Sequence, residues 1–252
     1  MTQNSENMQV INIPGQGGFH FSAVRPEHLG ASEYTLVSIV VDVTGSVAPF
    51  ADELLKTVKA IIEACKKSPR SENLLIRLVT FYTQVDEIHG FKLLSEIDPN
   101  SYQPFDPDGM TALYDATYSS IAASLSYGKT LVDQDFATNA AVYVITDGRD
   151  NQSLMKPHHV ADKMRQAKMG EEVESLISIL VGLKDPALGQ LEYDKTTKAL
   201  TTFQVEGELT QFVDVGDATP QRLAKLANFV SQSISSQSQS LKQGAPSQPL
   251  TF

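Results

Sequence analysis

Between Leu36 and Val41 the chain is apolar at every position but Ser38 and rich in β-branched residues, the pattern of a central strand covered on both faces. The run then breaks into Asp42-Val43-Thr44-Gly45-Ser46. From Val47 the apolar positions change to helical spacing, with Phe50, Leu54, Val58, Ile61, Ile62 and Cys65 on one stripe. Leu74 to Tyr82 reads as a second strand, Thr83-Gln84 as a hairpin turn, and Val85 to Leu93 as an antiparallel edge strand. Asp86, Glu87 and Lys92 suit the blunting of such an edge, and His89 reads as a solvated edge residue. After a proline- and acid-rich loop, Asp98 to Met110, a helix is expected from Thr111 to about Tyr127, with Leu113, Thr117, Ile121 and Leu125 at turn spacing.

Ala140 to Ile145 forms a third buried strand that ends in Thr146-Asp147-Gly148-Arg149-Asp150-Asn151. His158 to Met169 is helical and closed by Gly170, and Leu176 to Leu183 is a further buried strand. Beyond Pro186 come a weaker helix at Leu191 to Leu200 and a short strand at Gln211 to Val215. Thr219-Pro220 opens a last helix, whose core face is Leu223, Leu226, Val230 and Ile234. Strands alternating with helices specify an α/β fold, a doubly wound, mostly parallel sheet with one antiparallel edge strand and helices on both faces. The expected organisation is an N-terminal arm at 1–33, one domain at 34–235, and a Ser/Gln-rich disordered tail at 236–252, with Leu250 and Phe252 as a short docking motif. Pro14 to Gly18 lacks the Lys-Ser/Thr ending of a phosphate loop and reads as a plain turn.

Composition narrows the function. The 252 residues, 41% of them hydrophobic, suffice for one core. Thirty acids against twenty Lys and Arg give a net charge of −10, without a basic cluster to neutralise a phosphate backbone, so nucleic acid is not an expected partner. The lone Cys65 falls on an apolar helical stripe and reads as a buried thiol. No export signal or membrane-spanning run is evident, and the expectation is a cytoplasmic protein with no membrane partner.

The candidate chemistry lies at strand and helix ends. Asp42, Thr44 and Ser46 follow the first buried strand, Thr111 precedes a helix, and Asp147 follows the third buried strand. In open α/β sheets ligands bind beyond the carboxyl ends of the strands, where strand order reverses. All five residues offer oxygen and none offers sulfur or imidazole, a donor set for Mg2+, Mn2+ or Ca2+ rather than zinc or copper, with Mg2+ or Mn2+ the expected ion. Two buried carboxylates in one crevice repel each other and lose solvation unless a cation compensates. His158 and His159, about 100° apart on a helix, read as solvated or capping groups.

From Tyr34 to Ser235 the chain resembles the von Willebrand factor type A domains whose metal-ion-dependent adhesion site joins an Asp-x-Ser-x-Ser loop to a distant Thr and a distant Asp. Asp42, Ser46, Thr111 and Asp147 match that pattern, while Thr44 stands where the family most often has Ser. The resemblance implies that the metal keeps one coordination position open for a carboxylate from a partner protein. Intracellular members serve as adaptors for AAA+ ATPases or in multiprotein assemblies.

The leading expectation is therefore a non-enzymatic, metal-dependent protein-binding module. An alternative is a metal-dependent phosphoester hydrolase, for which only Arg149 is placed to clamp a phosphate and no motif base is present. A second alternative is a structural subunit of a large assembly with a vestigial site.

Overall fold

The computed structural model describes residues 7–13, 17–185, 187–243 and 250–252. In chain order its regular elements are β1 (Met8–Asn12), β2 (His20–Val24), β3 (Glu33–Asp42), α1 (Ala51–Lys66), β4 (Leu74–Phe81), β5 (Val85–Leu93) and α2 (Leu113–Val132). There follow β6 (Ala137–Thr146), α3 (Pro157–Met169), β7 (Leu176–Lys184), α4 (Gln190–Glu206), β8 (Gln211–Asp217) and α5 (Pro220–Gln243).

The strands form one eight-stranded sheet in the order β1-β2-β5-β4-β3-β6-β7-β8. Strands β4, β3, β6, β7 and β8 run parallel, and β5 returns antiparallel to β4. Because β3 has β4 on one side and β6 on the other, the order reverses at β3, and a crevice opens beyond its carboxyl end. Alternate residues of β3 serve opposite faces, as the pleat requires. Val37, Ile39 and Val41 join α1 and α5 in one core, while Leu36 and Val40 join α2, α3 and the inner residues of α4 in the other.

The expected stripe of the first helix is buried: Leu54, Val58, Ile61, Ile62 and Cys65 are inaccessible to solvent. Burial pushes the Cys65 thiol up to about 12, which makes it inert. The α-helix begins at Ala51 rather than Val47, and Gly45–Phe50 is a 3-10 segment. Pro49 lies within that tighter turn and has no N–H to give an α-helical bond.

Four expectations are corrected. The stretch read as an N-terminal arm outside the domain contains the antiparallel pair β1–β2 of the same sheet, and β2 lies beside β5, with Ala23 opposite Phe91. β5 is thus not the edge of the sheet. Gly90 permits the approach, since a Cβ there would come within 1.9 Å of the Ser22 carbonyl oxygen. Nor does Glu87 blunt an edge: its Oε1 accepts from Ser22 N at 2.9 Å and Ser22 Oγ at 2.6 Å, and its Oε2 accepts from Arg77 Nε at 2.6 Å. His89 is half-buried and stacked on Tyr102 at 5.8 Å, not solvated.

The tail is the fourth. Helix α5 continues through Gln243, because polar residues that read as unable to build a core find polar partners. Within the expected tail, Asn139 Nδ2 donates to the Gln237 carbonyl at 2.8 Å and Arg70 Nε to Ser238 Oγ at 3.2 Å, and just before it Tyr143 Oη donates to Ser233 Oγ at 2.9 Å. Leu250 and Phe252 pack back on the core, Phe252 edge-on to Phe229 at 5.4 Å. Of the turn read at Pro14 to Gly18, residues 14–16 lie outside the described residues, as do Pro186 and 244–249.

Candidate metal centre

Asp42 is the last residue of β3, and its carboxylate is fully buried. The chain turns just beyond it, so that Thr44 N donates to Asp42 Oδ1 at 2.9 Å. The other carboxylate oxygen, Oδ2, accepts from Thr146 Oγ1 at 2.5 Å. Thr146 ends β6, the parallel neighbour of β3, and its hydroxyl also accepts from Gly148 N at 3.1 Å. These bonds fix Asp42 at the mouth of the crevice between β3 and β6.

The two hydroxyls of the first loop meet there. Thr44 Oγ1 and Ser46 Oγ are 3.0 Å apart, and Ser46 Oγ donates to Asp147 Oδ1 at 2.9 Å. Thr44 and Asp147 are buried, whereas Ser46 is exposed, so the cluster opens to solvent on the side of Ser46. Neither Thr44 nor Ser46 is consumed as a helix cap: Thr44, at the cap position of the 3-10 segment, makes no side-chain capping bond.

Thr111 does not cap α2 either, since that helix starts at Leu113 and its cap position is Ala112. Instead the Thr111 backbone is clamped by Asn151, whose Oδ1 accepts from Thr111 N at 2.7 Å and whose N donates to Thr111 O at 3.0 Å. The hydroxyl is brought over Gly148. A Cβ placed on Gly148 would stand 3.3 Å from Thr111 Oγ1 and 3.9 Å from Asp42 Oδ2, so a side chain there would crowd the oxygens. Asp42, Thr44, Ser46, Thr111 and Asp147 are thereby gathered at one point.

Charge is the unresolved element of the cluster. Burial pushes the Asp42 carboxyl above the ordinary carboxylate range, against the bonds from Thr146 and Thr44 that pull it down. Asp147 is pushed up to about 7, by burial first and by the Asp42 charge second, with the Ser46 hydroxyl opposing. Ionising both without compensation is unfavourable, and a hard divalent cation supplies the compensation. Two carboxylates with three hydroxyls fit such an ion. Among the described residues no three His, Cys, Asp or Glu side chains are grouped so as to hold a metal ion by themselves, so any cation here depends on the hydroxyls.

Several supporting groups lay beyond the five. Thr146 was read only as part of the polar run after the strand, yet it holds Asp42. Asp150 accepts from Tyr114 N at 3.2 Å and from Ser153 Oγ at 2.5 Å, and so serves the first turn of α2. Asp115 accepts from the N–H groups of Leu154 and Met155 at 3.1 and 2.7 Å, which pins the far end of the Asp147 loop. His159 Nδ1 accepts from Lys156 N at 2.9 Å at the start of α3, a capping role.

No family model matches the sequence, and no curated protein matches it. Solved structures do. The PilB minor pilin from Streptococcus sanguinis superposes with a TM-score of 0.54 at 15% identity, over 88% of this chain and 66% of that one. Proximal thread matrix protein 1 from the mussel byssus, described with a zinc-occupied MIDAS motif, gives 0.50 at 17% identity, over 82% of this chain and 47% of that one. The pilus adhesin SpaC from Lactobacillus rhamnosus GG, in its open conformation, gives 0.52 at 10% identity, over 93% of this chain and 35% of that one. The chain thus spans two thirds or less of each of these proteins, and at such identities the likeness is one of architecture. Its fold is von Willebrand factor type A-like, a mostly parallel α/β sheet wrapped by helices, with two carboxylates and three hydroxyls at the point where strand order reverses.

Proposed function

We propose that the chain is a non-enzymatic, metal-dependent protein-binding module. The observation that carries this reading is the convergence of two buried carboxylates with the hydroxyls of Thr44, Ser46 and Thr111 at a solvent-open corner of the crevice. Asp42, Thr44, Ser46, Thr111 and Asp147 would hold Mg2+ or Mn2+. A bound cation would supply the positive charge that the two acids lack and a position for a partner's Asp or Glu. Thr146 and Asn151 keep the donors in place, so little of the binding energy is lost in ordering them. Recognition of a carboxylate in this way is charge-assisted and depends on the metal being present.

Support also comes from the byssus protein, whose MIDAS motif is described as zinc-occupied. Arg149, on which a hydrolase reading relies, is paired with Glu192 at 3.4 Å, both half exposed to water. The setting we favour is an adaptor in an intracellular multiprotein assembly, with an AAA+ ATPase as one class of partner. A second reading of the setting, attachment within a surface fibre, is favoured by the pilin and adhesin among the fold neighbours. Among the described residues no helix is long and apolar enough to cross a membrane.

Water-proton relaxation of the manganese-loaded protein tests the reading. Glutarate should reduce the enhancement by displacing bound water, glutaramide should not, and Asp42→Ala should abolish the enhancement. Equal effects of the acid and the amide, or an unchanged signal in Asp42→Ala, would contradict it.

A further inference from the structure

Beside the metal centre a cleft of about 570 Å³ separates the β4–β5 hairpin from the loop that carries Tyr102 to Asp108. Cleft and centre share a wall. Val43, between Asp42 and Thr44, lines the cleft, and its carbonyl accepts from Asp108 N at 3.0 Å. The interior is apolar and aromatic: Phe105 packs on the core beneath, and Tyr102 is stacked on His89, to whose Nε2 it lies at 2.8 Å. His89 Nδ1 donates to the Gly90 carbonyl at 2.9 Å, and in the neutral ring, which burial favours, Nε2 accepts from the tyrosine hydroxyl.

The charge lies at the mouth. Asp86, Asp106 and Asp108 line it against a single basic group, Lys92, which makes no ion pair among the described residues. The bonds that Asp86 and Asp108 receive come from neutral donors, Gln84 Nε2 at 3.3 Å and Gly109 N at 2.7 Å, which leave the negative charge in place. An apolar groove with an anionic mouth complements one kind of protein side chain: a long aliphatic stem ending in a cation. An acidic group would be repelled here, though it is the group that the neighbouring metal position attracts.

We propose that this cleft receives a Lys or Arg of the same partner segment whose Asp or Glu meets the metal, so that the recognised motif pairs an acid with a base at a fixed spacing. The proposal rests on the metal-dependent reading above and adds the sign of the charge beside the acid. It assigns specificity to Asp86 and Asp106, and the common affinity to the centre. Such charges at an interface select partners more than they strengthen binding.

Phage-displayed random peptides, selected on the full chain in manganese and eluted with EDTA, provide the test. The expected result is a family of peptides sharing an acid and, at constant spacing, a Lys or Arg. The synthesised peptides should bind about tenfold more weakly to Asp106→Lys and to Asp86→Lys, and exchange of the peptide's base for Glu should restore binding to those variants. Two substitutions on separate elements guard against a folding defect in either, and an unchanged melting profile confirms each. Enriched peptides with an acid but no accompanying base, or undiminished affinity for both variants, would overturn the cleft assignment while leaving the metal reading intact. Absence of any acid among EDTA-eluted peptides would overturn both.

Discussion

Ser46 Oγ donates to Asp147 Oδ1 across 2.9 Å, joining residues 101 positions apart in the chain. The bond links the loop after β3 to the loop after β6 and offsets only part of the cost of burying the Asp147 carboxyl beside Asp42. Removing that carboxyl should relieve the repulsion. Asp147→Ala is expected to abolish manganese binding while its metal-free form unfolds in urea at the same or higher concentration than wild type. A metal-free midpoint far below wild type would mean that Asp147 holds the fold through its hydrogen bonds instead.

Glu87 of β5 meets a buried charge of the opposite sign. It compensates Arg77, which is 1% exposed, and ties Ser22 of β2 to β5. Glu87→Ala leaves a buried guanidinium without its partner, a change that costs about 3–5 kcal/mol in comparable sites. Ser22→Ala, which removes only a hydroxyl bond, should cost about 1 kcal/mol. Equilibrium urea unfolding distinguishes the two, and equal effects would show that the ion pair contributes nothing beyond the hairpin contact.

His89 sets a pH dependence. Burial holds its imidazole down at about 4, with Lys92 and Arg77 adding to the depression and the Gly90 carbonyl and Glu87 opposing it. Between the ordinary value near 6.5 and the folded value, the unfolded chain binds the extra proton and the folded chain does not. Stability contributed by the neutral ring is therefore present above about pH 6.5 and is lost as pH falls toward 4. Relative to His89→Gln, wild type should lose about 2 kcal/mol between pH 7 and pH 5. Parallel stability curves for the two proteins over that range would contradict the burial of a neutral His89.

Helix α5 gives a prediction opposite to the one that composition invites. Truncation after Ser235 removes the buried Gln237, Ser238 and Leu241 and leaves Asn139 Nδ2 and Arg70 Nε without their partners. The expected loss is about 2–4 kcal/mol by urea unfolding. Truncation after Gln243 should cost less, since among the described residues it takes away the partly buried Leu250 and Phe252 from the core face. Equal stability of all three chains would show that the polar end of α5 contributes no packing.

What the sequence made legible was local. The run from Leu36 to Val41 announces a doubly covered strand by itself, and its break at Asp42 marks the strand's carboxyl end. The strand pairing then explains why Asp42 and Asp147 meet: Asp42 ends β3, and Asp147 directly follows β6, its parallel neighbour. Features carried by distant partners were not legible. The β1–β2 pair is anchored by Ser22 to Glu87, 65 residues away, and nothing in the arm's own composition announces that bond. The helical tail depends on Asn139 and Arg70, 98 and 168 residues from their partners Gln237 and Ser238, so Ser and Gln read alone as solvent-loving. Thr146 escaped notice because a threonine ending a strand satisfies β propensity without further cause.

The metal itself remains the most direct test. At free manganese about one hundred times its dissociation constant, linkage stabilises the fold by about 2.7 kcal/mol. In a domain of this size that corresponds to a rise of roughly 5–10 °C in the melting midpoint. Magnesium should act in the same direction but more weakly, as the looser ion for such sites. Melting of wild type and Asp42→Ala in several millimolar manganese and again in EDTA compares the cases. The account predicts a rise of that order for wild type alone, reversed by EDTA, and no shift for Asp42→Ala. Identical midpoints for wild type with and without metal, or an equal rise in Asp42→Ala, would contradict a metal centre built on Asp42, Thr44, Ser46, Thr111 and Asp147.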